Sequence, residues 1–207
     1  MKTPPFPRAI AGVAVPQDEV SEGTWRWANR ALPEYLLAHS VRSYCWGAEI
    51  AKQEDWTFDR RILWTSALFH DVGLTSIPTN TMCFEVEGAE RARRWLERHG
   101  LGEEATDRVA IAIILHMQPG VTLDDGVESV LLDRATAIDV RGAGIEAIQR
   151  VRDAVVGEFP RGAFDRRFLT AIRREAAIRP TCRSAALLNA VGLARWMAES
   201  PWVVAGH

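Results

Sequence analysis

The stretch LWTSALFHDVGLTSIP, residues 63–78, sets an apolar run directly against an imidazole and a carboxylate. From Leu63 to Phe69 apolar residues occupy nearly every side of a helix, the pattern of a segment buried all round. Asp59 is a good N-cap for this helix in DRRILWTSALFHD, and the run ends at His70 and Asp71, followed by the helix-stopping Gly73 and Pro78. A polar group left without a partner in a core costs about 1–3 kcal/mol. A buried helix that finishes in two ionisable side chains therefore calls for something that satisfies both.

The same conflict recurs along the chain. His39 interrupts PEYLLAHSVRSYCWGAEIAKQE (33–54), His116 closes EEATDRVAIAIILHM (103–117) before Gln118-Pro119-Gly120, and Asp139 lies inside VESVLLDRATAIDVRG (127–142). Taken singly, each has an ordinary reading: a hydrogen-bonded core histidine, a helix-end residue, or, for Asp139, a cap or a partner for Arg141. Taken together, on separate helices, they converge best on one divalent metal ion, since imidazoles and carboxylates are the ligands that Zn, Fe, Mn or Co accept. Neighbours such as His70 and Asp71 do not share a helix face, so both reach one ion only where the helix is ending.

The remaining segments also read as helices. FEVEGAERARRWLERHG (84–100) has acids early, bases late and a closing glycine. After Arg141 come GIEAIQRVRDAVVGEF (144–159), RGAFDRRFLTAIRREAAIR (161–179) and SAALLNAVGLARWMAES (184–200), each with helical periodicity between Gly or Pro residues. Strand-like alternation is essentially absent. The expected fold is all-α, a helical bundle with additional C-terminal helices. Residues 1–32 read as a proline-rich arm and leading segment packed on one helical domain, 33–207, whose metal-site core is about 33–145.

With 47% hydrophobic and 25% charged residues and a net charge of -2, the composition is that of a soluble globular protein and points to neither nucleic acid nor an anionic membrane surface. No stretch approaches a membrane span or a signal peptide. The three cysteines, Cys45, Cys83 and Cys182, form no CxxC pair and read as reduced thiols of a cytoplasmic protein. The pairs Arg166–Arg167 and Arg173–Arg174 read as a solvated face balanced by Asp165 and Glu175. Trp196, Trp202 and the tail PWVVAG either cover the core or make a homodimer contact.

The order of His39, His70-Asp71 and a late Asp139 in a helical chain resembles the HD-domain superfamily of metal-dependent hydrolases. That resemblance implies one divalent metal, zinc first, with Fe, Mn or Co also suited, held by His39, His70, Asp71 and Asp139. HSVRSYCWG, LFHDVGLT, CFEVEGA and ATAIDVRG further resemble the cyanamide hydratase-like subgroup. There the glutamate of the Phe-Glu element stands where two-metal relatives have a histidine, which implies a single metal. Asp71, Glu85 and His116 then carry the catalytic work, with Glu85 or the free oxygen of Asp71 shuttling a proton. Arg42, Thr75, Thr79 and Phe84 are the expected substrate contacts. The implied activity is addition of metal-activated water to a small nitrile-like substrate such as cyanamide, giving urea. The alternative is hydrolysis of a nucleotide or other phosphate ester. Leu74 stands where phosphohydrolases of the superfamily often carry lysine, and LTSIPTNT has no cation, so an uncharged substrate in an apolar-walled pocket near Trp46, Trp64 and Phe84 is favoured. A degenerate site that only binds a ligand ranks last.

Overall fold

Helix α2 (Glu34–Gln53) and helix α3 (Arg60–Phe69) form the centre of the molecule, and almost every residue of both is buried. The computed structural model describes residues 4–75 and 82–204, so Thr79 lies outside the described residues. Asp59 caps α3 by accepting from the Arg61 amide, and Pro33 stands at the N-cap of α2. Around this pair pack α1 (Glu19–Ala31), α4 (Phe84–His99), α5 (Glu103–Leu115) and α6 (Val127–Arg141), with α4 on α5, α2 on α6 and α1 on α3. Aromatic contacts fix α1: Trp27 stacks on Phe69 at 4.1 Å, and Trp25 meets Trp64 at 6.1 Å.

The end of α3 is held by close backbone approach. A short 3-10 turn, Val72–Thr75, follows Asp71, and a Cβ at Gly73 would lie 2.2 Å from the Phe84 carbonyl oxygen. A Cβ at Gly88 would lie 3.0 Å from the Phe69 carbonyl oxygen, so the first turns of α4 rest directly on the His70–Asp71 corner.

The C-terminal half departs from the expected long helices. Residues 144–159 break into a 3-10 turn (Ile145–Ile148) and α7 (Arg152–Glu158). After α8 (Phe164–Ile178), residues 183–198 divide into α9 (Arg183–Ala186), a π-helical turn (Leu187–Val191) and α10 (Leu193–Ala198), the last two separated by Gly192 at φ 83°. A final turn, α11 (Pro201–Val204), places Trp202 in the core, 6.3 Å from Trp46. The N-terminal segment holds a small hairpin, β1 (Ala9–Ile10) with β2 (Val13–Ala14), too short for any alternation to show in the sequence. The architecture is therefore helical, with that two-stranded sheet as its one β element among the described residues. No helix among the described residues is long and apolar enough to cross a membrane.

The cysteines do not all behave as reduced thiols. Cys83 and Cys182, at the N-caps of α4 and α9, form a disulfide with a Cα–Cα distance of 5.5 Å, while Cys45 is free and buried. No sequence pattern announces this pair, because its partners lie 99 residues apart. Closing so long a loop restricts the unfolded chain strongly. Cys182→Ser should lower stability by about 2–5 kcal/mol, read as a fall in Tm of roughly 5–15 °C. Labelling of three thiols in the native, unreduced protein would contradict the pairing.

Candidate metal centre

Asp139, at the end of α6, organises one stripe of α2. His39, Arg42 and Trp46 stand at i, i+3 and i+7, a spacing that puts them on one helix face. All three donate to the Asp139 carboxylate: His39 Nδ1 to Oδ2 at 2.7 Å, Arg42 Nε to Oδ1 at 2.8 Å and Nη2 to Oδ2 at 2.7 Å, and Trp46 Nε1 to Oδ1 at 2.9 Å. Arg161 adds a bond from Nη1 to the Asp139 carbonyl at 2.7 Å and stacks on Trp202. Burial alone would raise the Asp139 pKa, but Arg42 and Arg161 hold it well below the usual carboxylate range. This carboxylate is ionised and fully engaged.

The other edge of the His39 ring faces His70 and Asp71. His39 Nε2 lies 3.1 Å from His70 Nε2 and 3.5 Å from Asp71 Oδ2, and His70 Nε2 lies 3.3 Å from the same oxygen. His70 Nδ1 donates to the Ala67 carbonyl at 2.7 Å. Both rings therefore spend their Nδ1–H on an oxygen, and their Nε2 lone pairs point at each other. Two lone pairs at that distance require a proton or a cation between them. The separations also match neighbouring ligands around an ion: bonds of about 2.1 Å place cis ligands about 3.0–3.4 Å apart. Asp71 Oδ2 is buried without a hydrogen-bond donor. His39, His70 and Asp71 thus fit a divalent metal.

His116 repeats the device. Its Nδ1 donates to the Ile113 carbonyl at 2.5 Å, and its Nε2 lies 3.9 Å from Asp71 Oδ1. Burial, reinforced by His70, brings its pKa down to about 3, and burial also lowers His39, so both rings are neutral, as ligands must be. Burial opposes ionisation of Asp71, yet His70 and the other two imidazoles hold it down to about 2. Burial likewise opposes charge on His70, but Asp71 outweighs it and raises that ring.

A cavity of about 330 Å³ opens from this cluster, with His39, His70, Asp71 and His116 in its wall. Asp133, Thr136, Ala137, Val140 and Arg141 supply a second wall at helical spacing along α6, a stripe from which Asp139 is turned away. The C-terminal segments, expected as mere packing, form the roof. Arg183 Nε donates to the Met117 carbonyl at 2.9 Å, and Trp196 lies under the Arg141 guanidinium at 4.6 Å. Leu187, Val191 and Leu193 complete the apolar side.

Several expected site residues stand elsewhere. Asp139 faces His39 Nδ1, away from the convergent Nε2 atoms. The spacing shows its presence but not that four donors claim it. Arg42 is buried, bonds Asp139 and the Phe159 and Pro160 carbonyls, and does not line the cavity. Thr75 donates to the Val72 carbonyl at 2.7 Å, and Phe84 packs edge-on against His116 at 5.9 Å; neither lines the cavity. Glu85 is buried beside Glu175 and Arg179, raised to about 6 mainly by burial, and is also absent from the wall. Trp46 and Trp64 are core residues rather than pocket walls. Sequence reasoning misses Asp133, Arg183 and Trp196 as pocket residues, since nothing local marks a surface residue of a late helix as part of a cavity.

The HD domain family model matches residues 36–142, just over half of the chain, and the chain belongs to that family. The match runs from the first turn of α2 to the end of α6 and so contains His39, His70, Asp71, His116 and Asp139. HD domains are helical and are mostly metal-dependent hydrolases. No curated protein matches the sequence.

Removing one member of a buried ion pair strands the other at a cost of about 3–5 kcal/mol. Arg42→Met should therefore lower Tm by roughly 10 °C. A Tm within 2 °C of the parent, on the order of 1 kcal/mol, would show that the pair holds nothing together.

Proposed function

We propose that the protein is a metal-dependent enzyme that adds water to a small carbon electrophile of the nitrile type, cyanamide being the simplest case. The observation that carries this reading is the meeting of the His39 and His70 Nε2 atoms with Asp71 on the floor of a cavity, with His116 Nε2 3.9 Å from the other Asp71 oxygen and each imidazole fixed in its tautomer by an Nδ1–H bond. His39, His70, Asp71 and His116 would hold the ion, with Asp139 as the outer partner that orients His39. A divalent ion held there would supply Lewis acidity and would lower the pKa of a bound water from 15.7 towards about 7. Asp71, with one oxygen towards the histidine pair and the other towards His116, receives the proton of the attacking water and returns it to the nitrile nitrogen. Apolar side chains on the far side keep bulk water from the electrophile. Glu85 has no direct path into the cavity, which leaves it a supporting role.

A second reading has its own support. Arg141 and Arg183 line the cavity, and arginines recognise phosphate well. Hydrolysis of a phosphate ester is therefore the alternative reaction class.

Elemental analysis of the zinc-reconstituted protein, with urea release from cyanamide and phosphate release from nucleoside monophosphates, separates the readings. The expected result is about one ion per chain and urea release. Phosphate release alone would move the assignment to the phosphohydrolase class, and no bound metal after reconstitution would overturn both. Asp139→Asn should keep the ion with affinity about 10–100-fold weaker, whereas Asp71→Asn should lose it. A folded Asp139→Asn protein that binds no metal would make Asp139 a ligand.

A further inference from the structure

The cavity is too large for the simplest substrate. A water-sized group takes about 30 Å³, so the three heavy atoms of cyanamide would fill about 90 Å³ of a space of about 330 Å³. The rest of the volume has a polar character of its own. Asp133 stands about two turns before the end of α6, on the cavity stripe, and is only partly exposed. Among the described residues no hydrogen bond or ion pair engages its carboxylate. Arg141, two turns further along the same stripe, Arg134, which faces Glu54 and does not line the cavity, and Arg183, at the start of α9, are close enough to act on it electrostatically. Burial nevertheless pushes the Asp133 carboxyl up to about 6.

Both cavity arginines are positioned rather than loose. Arg183 is anchored through Nε to the Met117 carbonyl, which leaves its terminal nitrogens as donors, and the Arg141 guanidinium carbon lies over the Trp196 ring at 4.6 Å. None of the three belongs to the histidine cluster. The floor of the cavity handles the reaction, and these three groups form a second, separate pole.

We propose that Asp133, Arg141 and Arg183 form a substrate-recognition pole that accepts a single carboxylate next to an N–H group, so that the preferred substrate is a nitrile carrying an amino-acid-like tail. This inference rests on the hydratase reading and deepens it. The two guanidinium groups bind the carboxylate, and the Asp133 carboxylate accepts the adjacent N–H. The pole carries two positive charges and one negative. That balance suits a monoanion with a donor, and it disfavours a phosphate dianion, which would meet the Asp133 charge directly. N-cyanoglycine has this form. Its hydration forms a carbon–oxygen bond and breaks the carbon–nitrogen π bonds. Both protons of the water end on the former nitrile nitrogen, giving N-carbamoylglycine. The seven heavy atoms of N-cyanoglycine need about 210 Å³ and the eight of N-carbamoylglycine about 240 Å³ by the same measure, which the cavity holds.

The test uses the zinc-reconstituted full chain. Calorimetric titration should show N-carbamoylglycine binding at least about tenfold tighter than urea, a margin worth about 1.4 kcal/mol. Asp133→Asn and Arg183→Met should each abolish that margin. Arg141→Met changes an exposed side chain and guards against a folding defect in the other two; it should reduce the margin as well. In turnover, the ratio of kcat/KM for N-cyanoglycine to that for cyanamide should fall about tenfold or more in the same variants. If N-carbamoylglycine binds no tighter than urea, or if glycerol 2-phosphate binds tighter than N-carbamoylglycine, the proposed pole is wrong even if cyanamide is hydrated. If no nitrile is hydrated but the Asp133-dependent margin persists, the pole stands and the reaction assignment fails.

Discussion

One buried charge, the Asp139 carboxylate, ties the structure together. An ionised carboxylate inside a protein is tolerated only when donors and opposite charge surround it, and here they come from distant parts of the chain: His39, Arg42 and Trp46 on α2 donate to it, and Arg161 before α8 adds its charge at 3.5 Å while bonding the Asp139 backbone carbonyl. α2 and α6 are locked in register by that requirement. The tail is drawn in as well, because Trp202 covers Arg161 and donates from Nε1 to the Ile138 carbonyl at 2.7 Å. The arrangement also has a chemical consequence. By taking the Nδ1–H of His39, Asp139 fixes which nitrogen of that ring faces the cavity.

The histidine cluster follows one rule three times over. Asp139, the Ala67 carbonyl and the Ile113 carbonyl each receive an Nδ1–H, and each leaves an Nε2 unprotonated within 3.3–3.9 Å of an Asp71 oxygen. Two of these acceptors are helix backbone groups three residues before the histidine, at the end of α3 and of α5. Helix ends have carbonyls without intrahelical partners, so a histidine placed at the last turn finds its acceptor locally. At the ends of α3 and α5 this leaves each ring with one nitrogen occupied and the other free.

Much of this is legible in the amino-acid sequence. The all-round apolar run of α3 announces a central helix, and the polar interruptions at His39, His70, Asp71, His116 and Asp139 announce a shared site. What stays hidden is long-range. Asp139 and His116 carry the same signal in sequence, a polar residue in an apolar stripe, yet one turns to arginines and the other to the cavity. Arg42, one turn from His39, suits a substrate and a carboxylate equally well in sequence, and only the packing of α6 on α2 decides. The Cys83–Cys182 pair and the cavity roof depend on where α9 and α10 fold back, and local periodicity carries no information about that. The expected balance of the α8 arginines by Asp165 and Glu175 fails for the same reason, since those acids bond Arg161 and Arg179.

In the proposed site His39, His70, His116 and Asp71 hold one ion while Asp139 stands behind His39. X-ray absorption at the metal edge of the zinc-loaded protein tests it most directly, because the multiple-scattering signature of imidazole counts the histidines bound. The account predicts three imidazoles and one carboxylate. Two imidazoles and two carboxylates would contradict it and would place Asp139 on the metal.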